Sequence, residues 1–89
     1  PAAPLGIVNM VFPAAEFRSA VRQFALDLAA KAPVALKVAK ASINKGENIG
    51  LESALALERE GFGVVASTED LQEGVKAFTE KRKPAFKGK

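Results

Sequence analysis

With no histidine and no cysteine among its 89 residues, the chain lacks the usual general base near neutral pH, the usual thiolate nucleophile and the usual ligands of a zinc site. Any chemistry would have to come from carboxylates, lysines and hydroxyls. Ser19, Ser42, Ser53 and Ser67 have no imidazole to activate them, so no serine triad can be assembled within the chain. No lysine is set apart by its neighbours as a base. The glycines form neither GxxxxGK[ST] nor GxGxxG, which leaves nucleotide hydrolysis without support.

Carboxylate pairs remain. Two of them can exchange protons with a substrate when their environments separate their pKa values. Glu58 and Glu60 lie close in sequence but diverge around a helix, whereas Glu69, Asp70 and Glu73 fall near a helix start, where negative charge is useful structurally. Glu58 is the exception: it falls within an apolar stripe, where an ion pair to a lysine of the preceding helix, or to the neighbourhood of Arg59, would account for it equally well. The formal charge of +3 is concentrated at one end, where Lys81, Arg82, Lys83, Lys87 and Lys89 follow Lys76. Such a cluster favours an anionic partner, phosphate being the simplest, or else forms a solvated, frayed tail with Gly88 and the terminal lysines loose. No recognised nucleic-acid reader accompanies it.

The elements that must position these groups follow from periodicity. Gly6 to Phe12, GIVNMVF, is a β-branched apolar run suited to one strand, which would need a sheet edge supplied from elsewhere. After Pro13, Phe17, Val21, Phe24 and Leu28 recur at helical spacing and predict a buried stripe on a helix reaching about Lys31. Pro33 can open the next helix, to about Lys45, with Leu36, Ala39 and Ile43 on one face. Gly46 to Gly50 supplies a turn, and a third helix spans Leu51 to Ala66. Leu51, Ala54, Leu55, Glu58, Phe62 and Val65 trace one of its faces, and Leu57, Gly61 and Val64 a second. Gly61 and Gly63 each cost helix propensity, about 1 kcal/mol relative to alanine, which close approach of another backbone, a ligand or a packed helix would offset. Ser67 reads as the N-cap of a fourth helix with the stripe Leu71, Val75 and Phe78, ended by Pro84 at or before Lys83.

The result is mainly α: about four short helices plus one N-terminal strand, in one small domain or part of one. Composition is globular, 48% hydrophobic and 26% charged, and no apolar run approaches the roughly 18 residues of a membrane span. Without cysteine, the default location is the cytoplasm.

Four segments in order, GIVNMVFP (Gly6 to Pro13), KAPVALKVAKASIN (Lys31 to Asn44), LALEREGFG (Leu55 to Gly63) and STEDLQEGVKAFTEKRKPAF (Ser67 to Phe86), resemble the closing stretch of the crotonase family of enoyl-CoA hydratases and isomerases. The resemblance spans almost the whole chain, and its STED..EG..AF.EKR.P.F ending is the most specific part. It implies the C-terminal helical part of a crotonase-like fold, with residues 1–12 as the end of an upstream core of repeated ββα units and 13–89 as a helical domain for oligomerisation and the CoA pocket. It implies hydration of 2-enoyl-CoA to 3-hydroxyacyl-CoA, with double-bond isomerisation as the near alternative. Two glutamates and two oxyanion-binding amides upstream would do the chemistry, so no catalytic residue is expected in this chain. Phe62 matches an aromatic lining the acyl or adenine end of the pocket, Phe78 the aromatic of AF.EKR, and Lys81 a lysine near the CoA nucleotide, often of an adjacent subunit. The implied partners are acyl-CoA and further copies of the chain, as a trimer or dimer of trimers, with no nucleic acid, no membrane, and no cofactor beyond the coenzyme A carried by the substrate. A eukaryotic source would move the location to the mitochondrial matrix. A helical protein-interaction module using exposed apolar faces is the alternative from a different class.

Overall fold

A computed structural model describes residues 1–89. Pro1 to Pro13 forms turns and irregular backbone rather than the expected strand at Gly6 to Phe12. The amides of Gly6 and Ile7 donate to the carbonyls of Ala3 and Ala2, and Gly6 takes φ +77°. A β-branched run becomes a strand only against a partner edge; with none in reach, the chain satisfies these amides locally and leaves Ile7 and Val11 exposed.

A short 3-10 turn, Ala14–Glu16, leads into α1, Phe17–Ala29. Ala32 is extended, as the residue before a proline must be, and Pro33 takes the first position of α2, Pro33–Gly46. Helix α3 covers Leu51–Ala66 and α4 Glu69–Thr79. The cap of α4 lies one residue beyond Ser67. Thr68 is the extended residue, its hydroxyl accepting from the Leu71 amide at 3.1 Å and donating to the Val65 carbonyl at 2.6 Å. Ser67 instead closes α3, in helical backbone, with its hydroxyl donating to the Val64 carbonyl. An N-cap needs extended ψ, and only Thr68 has it.

The antiparallel pair α2 and α3 is the one extensive helix packing. Gly61 makes it possible: a Cβ there would stand 2.7 Å from Val38 Cγ1 and 3.4 Å from Ser42 Oγ. Gly63 faces open space. Of the uses open to the two glycines, Gly61 therefore serves helix packing and Gly63 serves no contact within the chain.

The predicted stripes are not buried. Ala77 and Asp70, 1% and 3% exposed, are the only buried residues, while Phe17, Val21, Phe24 and Leu28 of α1 and Val75 and Phe78 of α4 face outward. The Cα radius of gyration is 16.4 Å, against about 12 Å for a compact chain of this length. The accessible surface is 7446 Å², against about 5,000 Å² for a compact 9.4 kDa protein. The surplus, about 2,400 Å², is what one partner contributes to an obligate interface. Helical periodicity identified the apolar faces correctly, but their cover is not supplied by this chain.

Candidate functional site

The basic C-terminal segment is a strap, not a loose tail. Helix α4 ends when Lys81 turns left-handed, at φ 55°, and the amides of Lys81 and Arg82 donate to the carbonyls of Phe78 and Ala77. This is the Schellman arrangement, with lysine where glycine is usual. It stops the helix at Thr79, before Pro84 is reached. The chain then runs back along α4. Glu73 accepts two bonds from the Arg82 guanidinium, at 2.6 and 3.2 Å, and one from the Ala85 amide at 3.0 Å. Asp70 accepts from the amides of Lys87 and Gly88, each at 2.8 Å, and donates its own amide to the Lys89 backbone oxygen. Gly88, at φ +79°, comes to rest near the ring of Pro33, and the Phe86 ring lies over Gly74.

The residues of STED..EG..AF.EKR.P.F thereby acquire structural reasons. Asp70 and Glu73, one turn apart on α4, hold the returning backbone; Gly74 leaves room for Phe86; Ala77 is a small residue that is almost wholly buried. Helix-terminal electrostatics alone, the sequence-level account of these carboxylates, misses the capture of the strap. The available signal was their three-residue spacing on one face, followed by Pro84 and a glycine that can take positive φ. Arg82 also bonds Glu80 at 2.6 Å. Its guanidinium, foremost, and then the Ala85 amide hold the Glu73 carboxyl at about 2, below the ordinary 4.5, and the same pairing raises the pKa of Arg82.

Two apolar grooves lie along the helices, and the smaller of them adjoins this strap. The larger, about 610 Å³, runs between α2 and α3 and is lined by Val38, Ile43, Leu55 and Phe62, with Glu47 and Glu58 at its lip. The smaller, about 330 Å³, lies between α4, the strap and the start of α2, and includes Leu71, Phe78 and Phe86. Ala35 and Val65 belong to both, so the two form a continuous apolar surface. Phe62 stands in the first, 67% exposed, and Phe78 in the second, 87% exposed. Lys81 lines neither; its ammonium is exposed at the reversal and makes no hydrogen bond or ion pair. The three residues thus occupy neighbouring features and not one enclosed pocket.

Glu58 has none of the ion pairs that its place in the stripe suggested: the two salt bridges of the chain both involve Arg82. Glu58 and Glu47 are exposed and their carboxylates accept no hydrogen bond, so nothing holds them in the fixed relation that proton exchange with a substrate requires. No group of three or more acidic residues is placed to hold a metal ion. No helix is long and apolar enough to cross a membrane. What the arrangement offers is binding surface: apolar grooves, aromatic rings and an unpaired lysine on a held backbone reversal.

Comparison with known proteins gives these grooves their context. The sequence model of the enoyl-CoA hydratase/isomerase family matches residues 1–89. The chain is 39% identical over 84 residues to the 2,3-dehydroadipyl-CoA hydratase of Escherichia coli, covering 94% of this chain and 33% of that protein. It is 40% identical over 79 residues to the short-chain-enoyl-CoA hydratase of Clostridium acetobutylicum, covering 89% and 30% respectively. The crystal structure of an enoyl-CoA hydratase from Bacillus anthracis superimposes with a TM-score of 0.92 at 33% identity, over 99% of this chain and 34% of that one. The chain therefore spans about a third of the length of the relatives it matches, and the helices with their exposed faces are those of crotonase folds. From end to end, the chain belongs to the enoyl-CoA hydratase/isomerase family.

Proposed function

We propose that the chain is the C-terminal helical region of an enzyme that hydrates 2-enoyl-CoA thioesters to 3-hydroxyacyl-CoA. Its part is to wall the acyl-CoA pocket and to join subunits, in a trimer or dimer of trimers, in the cytoplasm or, in a eukaryote, the mitochondrial matrix. One observation carries this role: a chain that matches hydratases over its whole length exposes about 2,400 Å² more surface than a compact protein of its mass, most visibly along the faces of α1, α3 and α4. Such a surface fits burial against a covering core and neighbouring subunits.

Phe62 and Phe78 present apolar rings toward the substrate, and Lys81 offers a cation to the phosphates of the CoA nucleotide, in its own or an adjacent subunit. An ammonium beside phosphate is favourable, and Lys83 adds to the local field. Addition of water across the double bond is the work of two glutamates, and polarisation of the thioester carbonyl that of two amides, all from the region preceding this one. The helical region excludes water and fixes the substrate.

Isomerisation is the second reading, favoured by the breadth of the family itself, whose description joins hydratase and isomerase. Absorbance of the conjugated enoyl thioester separates the two in the full-length protein. Hydration of crotonyl-CoA removes the conjugation, whereas isomerisation of a 3-enoyl-CoA creates it. Loss of signal with crotonyl-CoA is the expected result. Conversion of 3-enoyl-CoA without hydration of crotonyl-CoA would assign the isomerase, and neither activity would refute both.

A further inference from the structure

Lys81 owes its place to one backbone reversal. At φ 55° it occupies the left-handed region, which a residue bearing a Cβ keeps only when its surroundings hold it there. On the helix side the hold is the pair of bonds to the Phe78 and Ala77 carbonyls. On the far side it is Glu73, which binds the Arg82 guanidinium through both carboxylate oxygens and takes the Ala85 amide as well. Glu73 thus ties the chain just past Lys81 to a point two turns back along α4. The Lys81 ammonium itself is left free.

We infer that Glu73 is a positioning residue for Lys81: by clamping Arg82 and Ala85 it fixes the reversal that aims the Lys81 ammonium at a phosphate of the acyl-CoA nucleotide. The inference rests on the reading of Lys81 given under Proposed function and adds a residue to it. Positioning and plain charge predict opposite results. Glu73→Gln removes a negative charge near the strap and leaves the Arg82 cation paired only with Glu80, so electrostatics alone would strengthen binding of an anionic nucleotide and lower KM. A positioning role predicts that KM rises.

The experiment is steady-state hydration by the full-length protein of crotonyl-CoA and of crotonyl-pantetheine, which has the same reacting end but no nucleotide phosphates. Lys81→Ala should raise KM for crotonyl-CoA about five- to tenfold, as for loss of one charged contact, and leave crotonyl-pantetheine unchanged. Failure of that arm overturns the reading of Lys81 and the inference with it. If that arm holds, Glu73→Gln should raise KM for crotonyl-CoA several-fold, spare crotonyl-pantetheine and kcat, and add nothing to Lys81→Ala in the double variant. A KM that falls, effects that add, or equal losses on both thioesters would overturn the role of Glu73 while leaving that of Lys81 intact. Arg82→Lys keeps the charge and loses the two-pronged geometry; it should reproduce Glu73→Gln and replaces it if that variant does not fold.

Discussion

Replacing Gly61 by alanine sets two opposed effects against each other, and the structure decides between them. In an open helix the change stabilises by about 0.8–1 kcal/mol, because alanine loses less backbone freedom. At Gly61 the new Cβ would lie 2.7 Å from Val38 Cγ1 and 3.4 Å from Ser42 Oγ, whereas carbon atoms rest at about 3.5–4.0 Å. The overlap with Val38 is about 1 Å. It cannot be relieved by a soft side chain, since a helical valine keeps largely one rotamer. Either Val38 leaves its rotamer or α2 shifts off α3, and such overpacking costs about 1–3 kcal/mol. The net expectation is destabilisation of about 1 kcal/mol, measured by urea unfolding of the protein. Gly63→Ala supplies the control two residues away on the same helix: nothing lies within 4 Å of its Cβ, so the propensity gain should appear undiminished, about 1 kcal/mol in the stabilising direction. Val38→Ala should reverse most of the Gly61→Ala penalty in the double variant. If Gly61→Ala stabilises as much as Gly63→Ala, the α2–α3 contact is looser than described and the packing account fails.

Other expectations follow from the caps and the strap. Thr68→Ala should cost about 1 kcal/mol in thermal or urea unfolding, while Ser67→Ala stays within about 0.5 kcal/mol; equal losses would contradict the cap assignment. Lys81→Gly should stabilise the fold by about 1 kcal/mol by relieving the left-handed lysine, and at the same time raise KM for CoA thioesters, so that stability and affinity move apart. The Glu73 carboxyl, lowered from 4.5 to about 2 by Arg82 first and the Ala85 amide second, has a depressed folded-state pKa. Its stabilising contribution is therefore complete above pH 4.5 and is lost as pH falls from there toward 2. Amide exchange at Ala85 should accelerate over that window in the parent and be independent of pH, apart from intrinsic exchange, in Glu73→Gln. Asp70→Ala should release the strap from its far end, seen as faster exchange at Lys87 and Gly88, because a nearly buried acceptor of two amides is removed.

Local order was well marked along the chain. Pro33 and Gly50 set the starts of α2 and α3, and the bounds of α3 agree with its apolar spacing residue for residue, because these signals act through the backbone of the residue itself. Whatever depended on a partner was less legible. The β-branched run at Ile7 to Val11 has strand composition but no edge to join, and the stripes of α1 and α4 are amphipathic without a covering layer. Ser67 and Thr68 are both good caps by type, and only the extended backbone at Thr68 separates them. The strap was hidden for another reason: its anchors join residues nine to nineteen positions apart, and lysine at a left-handed position contradicts local preference. Phe62, Phe78 and Lys81 came from resemblance alone. The structure adds the grooves beside the first two and the clamped reversal that carries the third.

In the proposed role this region walls one side of an acyl-CoA pocket, and the chemistry is done by residues outside it. Hydration of crotonyl-CoA by the purified 89-residue chain tests this most directly. No turnover above the uncatalysed rate is expected; turnover that stays with the chain after host hydratase has been removed would contradict this division of roles.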